Sequence, residues 1–182
     1  MEKTGAKISC YLENEDETFK LGSALAMIFR DVNRYPVLMF TGELGAGKTT
    51  MIRGIVAGMP GGEHAQVSSP SFNIMNLYPT RPETAHFDLY RLEGTALDPE
   101  SEEILLDRDK FVLVEWSEFL PEELRPENNM QIRISLKNQG RAVELTAKDK
   151  MIQDMAQRVT GLSVQCSAFN VQGCRNVRMH RR

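Results

Sequence analysis

The stretch PVLMFTGELGAGKTTMIRGIVAGM, Pro36 to Met59, changes character twice. Pro36 to Thr41 is an apolar run of strand length and Gly42 to Lys48 is glycine-rich. From Lys48 onward, Met51, Ile52, Ile55, Val56 and Met59 recur at helical spacing. Gly42, Gly47, Lys48 and Thr49 stand at the GxxxxGK(S/T) spacing of a phosphate-binding P-loop. Glycine at 42, 45 and 47 lets the backbone of Gly42, Glu43, Leu44, Gly45, Ala46 and Gly47 turn successive N–H groups inward around a polyphosphate. Lys48 then meets the outer phosphates, and the Thr49 hydroxyl is offered to Mg²⁺. The helix opening at Lys48, Thr49 and Thr50 adds unpaired N–H groups and the positive end of its dipole. The pattern predicts a strand, a phosphate loop and a helix, and with them nucleotide binding.

A P-loop needs a partner acid, because Mg²⁺ prefers oxygen ligands and the usual place for one is the end of a buried strand beside the loop. Lys110 to Trp116, KFVLVEW, is a nearly continuous apolar run suited to a central strand, and Glu115 is the exception in it. A carboxylate there costs desolvation unless it is paired. Glu115 is therefore the candidate metal acid, with Glu118 as the nearby substitute. In His86-Phe87-Asp88-Leu89-Tyr90-Arg91 a strand would place His86, Asp88 and Tyr90 on one face and the apolar pair on the other. Such a face suits a carboxylate that positions water, Asp88; an ordinary solvated strand face would read the same way. Arg91 is a candidate for balancing phosphate charge.

The remaining elements follow from periodicity. Lys7 to Leu12 reads as a short strand, Glu13 to Glu17 as an acidic turn, and Thr18 to Arg30 as an amphipathic helix closed by Tyr35-Pro36. Met75 to Tyr78 and Ala85 to Leu92 flank a turn-rich segment and read as a hairpin. Asp98 to Leu106 has the proline and acidic first turn of a helix. Asn129 to Leu136 and Arg141 to Thr146 alternate around Asn138-Gln139-Gly140 and predict a second hairpin.

With 182 residues the chain suits one domain with a core, expected over 1–150, followed by a C-terminal extension over 151–182. The net charge of −3 divides unevenly. Residues 1–150 carry 17 Lys and Arg against 24 Asp and Glu, whereas 151–182 carry 5 Arg against 1 Asp. An acidic body argues against broad nucleic-acid binding by the core, and the basic extension reads as a partly flexible surface segment. No apolar stretch has signal-peptide or bilayer-spanning character, so a cytoplasmic protein with no membrane association is expected. Three cysteines without paired spacing, Cys10, Cys166 and Cys174, support neither a disulfide framework nor a zinc site.

Together, GELGAGKTT (42–50), SSPSF (68–72), HFDLYR (86–91) and VEW (114–116) resemble, in the same order, the motifs of the TsaE family. These are P-loop ATPases of bacterial tRNA threonylcarbamoyladenosine (t6A) biosynthesis, and the resemblance spans roughly Leu12 to Thr146. It implies an α/β, P-loop NTPase-like three-layer fold, with a central mostly parallel sheet plus antiparallel hairpin strands. It also implies ATP and Mg²⁺ as cofactors and TsaB-like and TsaD-like proteins as partners. Those partners modify adenosine 37, so tRNA would be met mainly indirectly through that complex. Carried over by position, Lys48 and the 42–47 backbone hold phosphates, and Thr49 with Glu115 holds Mg²⁺. Asp88 positions water or helps as a general base, Ser69 to Phe72 forms a switch-like segment, and Thr18 and Arg141 border the adenine. Ser71 replaces the family's usual Thr, Ser117 its usual Pro, and the segment between Leu92 and Lys110 lacks its Gly-Leu pattern. Two other readings compete: a nucleotide-gated interaction module without catalysis, and a P-loop small-molecule kinase. The kinase would need an Arg-rich lid, yet Arg108 is the sole arginine between Arg91 and Arg125. No Asn-Lys-x-Asp guanine motif is present.

Overall fold

The computed structural model describes residues 7–70, 73–92, 96–150, 154, 158 and 169–172. Its first strand, β1 (Lys7–Leu12), buries Ile8, Cys10 and Leu12 on one side. Helix α1 (Glu15–Val32) starts earlier than its apolar face suggests, because Asn14 caps it. The Asn14 side chain accepts from the Glu17 N–H at 2.9 Å while Glu17 Oε2 accepts from the Glu13 N–H at 2.7 Å. The acidic residues read as a turn are thus the helix's first turn, where they complement its dipole. Asn33 ends the helix in a left-handed conformation (φ 50°) and donates back to Arg30 and Phe29.

Next come β2 (Val37–Thr41) and α2 (Lys48–Gly58), joined by the glycine-rich loop. Strands β3 (Met75–Tyr78) and β4 (Thr84–Asp88) form the first expected hairpin. The second strand stops at Asp88 because Leu89 to Leu92 turn, with the Leu92 N–H bonded to the Leu89 carbonyl. Asp98 caps α3 (Pro99–Leu106), and its carboxylate is held below the usual carboxylate pKa, chiefly by the Ser101 hydroxyl. Strands β5 (Phe111–Glu115), β6 (Asn129–Lys137) and β7 (Gly140–Ala147) follow, the last two as the second hairpin.

These strands form one sheet in the order β3-β4-β5-β2-β6-β7-β1-β8. The centre, β4-β5-β2-β6, is parallel, and the flanking pairs are antiparallel. Strand β8 (Phe169–Gln172) pairs with β1. It lies within the extension, where the sequence shows no clear period. Edge pairing rests on main-chain hydrogen bonds, which leave little pattern in side chains.

Alternation along the central strands feeds two cores. Leu38, Phe40, Phe111, Leu113 and Ile132 face α1 and α2. Met39, Val112, Val114, Ala85 and Phe87 face the opposite layer, with Leu105 of α3. This is the expected three-layer α/β arrangement. The two helices of the first layer press close. A Cβ at Gly22 would lie 2.2 Å from the Met51 carbonyl oxygen, and one at Gly54 would lie 2.0 Å from that of Phe19. Backbone contact of this kind fixes the start of α2, and therefore the phosphate loop, against the sheet.

Candidate nucleotide and metal site

The loop carries positive φ angles at Gly42 (143°), Gly45 (78°) and Gly47 (106°). A Cβ at Gly42 would sit 2.1 Å from the Ile134 carbonyl oxygen, so β6 crowds the loop where it leaves β2. The Glu43 Oε1 accepts from the Leu136 N–H at 3.1 Å and ties the loop to the same strand. Ala46 is buried, while Leu44 stands exposed at the tip.

Lys48 is buried and folds back over the loop, donating to the carbonyls of Gly42 (2.7 Å) and Glu43 (3.1 Å). Its ammonium lies 3.8 Å from the ring centroid of Trp116. Burial pulls its pKa below the ordinary lysine value, against the opposing charges of Glu115, Glu118, Asp88 and Glu43. Thr49 Oγ1 donates to Glu115 Oε1 at 2.8 Å, and the same oxygen lies 2.9 Å from His86 Nε2. Glu115 is 3% exposed, so the carboxylate is paired within the fold rather than marking an open strand end. Glu118 lines a separate cleft of about 450 Å³ together with Arg125, Arg133 and Glu144.

In the parallel β4–β5 pair Asp88 is the register partner of Glu115, which sets the two acids side by side at the strands' carboxyl ends. Ligands of open α/β sheets bind there. His86 (0% exposed) and Asp88 (6%) form a buried polar face, not a solvated one. Tyr90, expected on that face, lies beyond the strand and packs on Trp116, with ring centroids 4.8 Å apart. Asp88 accepts a short hydrogen bond from the Ser69 hydroxyl and a 3.1 Å bond from the Tyr90 N–H. Ser71 and Phe72 of the switch-like segment lie outside the described residues.

A cleft of about 460 Å³ joins these parts, lined by Lys48, Thr49, Ser69, Asp88, Arg91 and Glu115 among others. Thr50 reaches the cleft too, but its hydroxyl is turned to Glu15 Oε1 at 2.9 Å. Thr18 and Arg141, 123 positions apart, meet behind the loop, where Arg141 Nη1 donates to Thr18 Oγ1 at 2.9 Å. The same guanidinium rests against Gly47, and among the described residues its buried Nε has no hydrogen-bond partner. Trp116, Tyr78 and Glu15 touch this machinery without having been singled out from the sequence. For Trp116 the signal was its place beside Glu115 as the only tryptophan.

The donor set fits Mg²⁺ with a polyphosphate. A hydroxyl and a carboxylate supply hard oxygens, and the loop presents main-chain N–H groups where side chains are excluded. Among the described residues no group of three or more His, Cys, Asp or Glu side chains is placed to hold a metal by itself.

Fold and loop define a P-loop NTPase-like α/β protein. The crystal structure of Bacillus subtilis YdiB has the same fold, with a TM-score of 0.64 over 85% of this chain and 95% of that one at 24% identity. The family model for threonylcarbamoyl adenosine biosynthesis protein TsaE matches residues 12–143, and the chain belongs to the TsaE family. The tRNA threonylcarbamoyladenosine biosynthesis protein TsaE of Streptomyces coelicolor is 40% identical over 63% of this chain and 76% of its own length. The protein of the same name from Haemophilus influenzae is 32% identical over 78% of this chain and 90% of its own. No helix among the described residues is long and apolar enough to cross a membrane.

Proposed function

We propose that this chain is a Mg²⁺-dependent ATPase required for t6A modification of tRNA adenosine 37. In this reading it binds and hydrolyses ATP to support or reset a TsaB/TsaD complex, and it meets tRNA mainly through that complex. The observation that carries the reading is the juxtaposition of the Thr49–Glu115 contact, 2.8 Å long, with Asp88 across one cleft. Phosphoryl transfer to water asks mostly for positioning and charge stabilisation. Lys48 and the loop amides bind the outer phosphates, and Thr49 and Glu115 hold the metal. Bound there, Mg²⁺ would neutralise charge developing on the phosphate oxygens. Asp88 orients a water and accepts hydrogen from it, in exchange for its present bond to Ser69. Arg141 and Thr18 border the base.

The test is reconstitution with TsaB and TsaD, measuring ATP turnover and t6A formation with and without this chain. Stimulation of both is expected, and absence of either stimulation defeats the reading. The paired state of Asp88 gives the nucleotide-gated alternative a specific footing, since an acid held by Ser69 and the Tyr90 amide is not yet free for water. Repeated modification cycles by an Asp88→Ala protein that no longer hydrolyses ATP would favour that alternative.

A further inference from the structure

Behind Glu115 runs a chain of polar contacts that nucleotide binding does not require. His86 is fully buried on β4. Its Nε2 faces Glu115 Oε1 at 2.9 Å, and because a carboxylate only accepts, that nitrogen carries the hydrogen. Its Nδ1 lies 3.3 Å from the Tyr78 hydroxyl on the neighbouring strand β3. The same hydroxyl lies 3.1 Å from the main-chain carbonyl of Ser68, so its one hydrogen is shared between that oxygen and Nδ1. Burial raises the Tyr78 pKa, so the hydroxyl keeps the proton this contact needs. The next residue, Ser69, donates its hydroxyl to Asp88. Two adjacent serines thus reach the two acids of the site, one directly and one through Tyr78 and His86.

The geometry points to His86 and Tyr78 as positioning residues that tie Glu115 to the Ser68–Ser69 segment, so that the metal acid and the contact on Asp88 are set together. This rests on the ATPase reading for its purpose but not for its existence. Glu115 Oε1 already accepts from Thr49, and the imidazole fixes the carboxylate from the opposite side. Partners of this kind fix a ligand's orientation, and losing them costs about 10- to 100-fold in metal affinity or activity. A buried aromatic hydroxyl and imidazole aligned between Glu115 and the Ser68 carbonyl would otherwise be an expensive way to fill space that a phenyl ring and a leucine would fill.

Two substitutions cut the chain on either side of one contact. Tyr78→Phe removes the hydroxyl and keeps the ring. His86→Gln keeps a donor toward Glu115 and lacks the nitrogen facing Tyr78. With a non-hydrolysable ATP analogue bound, Mn²⁺ affinity measured by electron paramagnetic resonance should fall about tenfold in each, while metal-free analogue affinity stays within about twofold. In the nucleotide-free protein, the backbone amide NMR signals of Ser68 and Ser69 should shift in His86→Gln, through the Tyr78 hydroxyl that lies against both the imidazole and the Ser68 carbonyl. Unmoved Ser68 and Ser69 signals, or unchanged Mn²⁺ affinity, would overturn the proposal. So would parallel losses of metal affinity, analogue affinity and melting temperature in both variants, which would mark a purely structural role. Failure of the wild-type protein to turn over ATP would defeat the functional reading alone, because the nucleotide-free spectra still decide the connection.

Discussion

Thr49 donates a 2.8 Å hydrogen bond to Glu115 from 66 positions away, across the boundary between the first turn of α2 and the end of β5. On the proposed reading, this contact would set where a divalent ion sits. Glu115→Gln keeps the shape and removes the charge, and it should weaken Mg²⁺ by about 10-fold or more while leaving metal-free nucleotide binding in place. Titration of Mg²⁺ against ATP turnover, alongside nucleotide binding in a chelator, measures both.

Lys48 and Asp88 line the same cleft yet should fail differently. Lys48→Ala removes the cation proposed to meet the outer phosphates, so it should raise the ATP Kd. Asp88→Ala should leave Kd largely intact and lower turnover by about 100-fold, the scale of losing one group that acts mainly in the transition state. Binding and single-turnover assays on the two variants separate these effects, and unchanged turnover in Asp88→Ala would remove its role with water.

Trp116 is the only tryptophan in the chain, and the Lys48 ammonium lies 3.8 Å from its ring centroid. A bound polyphosphate would compete with that ring, and with the Gly42 and Glu43 carbonyls, for the ammonium. Nucleotide titration should therefore change the intrinsic fluorescence, and Lys48→Ala should abolish most of the change. A full-sized response in Lys48→Ala would mean that the lysine does not couple phosphate to the indole.

Much of this site was legible because its chemistry is local in sequence. Gly42 to Thr49 announce themselves by spacing, and Glu115 by being a charge in a buried strand. The resemblance already set Thr49 beside Glu115, but the pairing of Glu115 with His86 was not legible, since it depends on β5 and β4 being parallel neighbours in register. Tyr78 was invisible for the same reason, being one aromatic residue in an alternating strand. The early start of α1 was missed because Asn14 and Glu17 read as turn residues until their reciprocal capping is seen. The strand at Phe169–Gln172 left no period to read.

Gly42 and Gly45 both have positive φ, but their surroundings differ. A Cβ at Gly42 meets the Ile134 carbonyl oxygen at 2.1 Å, whereas one at Gly45 meets nothing within 4 Å and points into the open cleft. Gly42→Ala should therefore cost stability by more than the roughly 1–3 kcal/mol of backbone strain alone, since backbone must move to relieve the clash. Gly45→Ala should cost about 1 kcal/mol and act chiefly on nucleotide affinity. Thermal melts and ATP binding, measured on both, should rank the variants in opposite orders.

On the proposed reading, the charge on Lys48 would set the alkaline limit of nucleotide binding. Burial lowers its pKa from 10.5, and the carboxylates of Glu115, Glu118, Asp88 and Glu43 offset only part of that. In the free protein the ammonium is therefore lost earlier than an ordinary lysine's as pH rises. Folding responds with a definite sign: between the lowered pKa and 10.5 the unfolded chain binds more protons than the folded one, so this group's contribution to stability rises with pH. Binding responds with the opposite sign. A polyphosphate beside the ammonium favours its charged form, so the complex holds a proton that the free protein is losing, and affinity falls as pH rises through that window. Calorimetry in buffers of different ionisation enthalpy should show proton uptake on ATP binding at alkaline pH. Lys48→Arg, whose guanidinium stays charged throughout, should lack that uptake. Equal uptake in both proteins would assign the titration to another group.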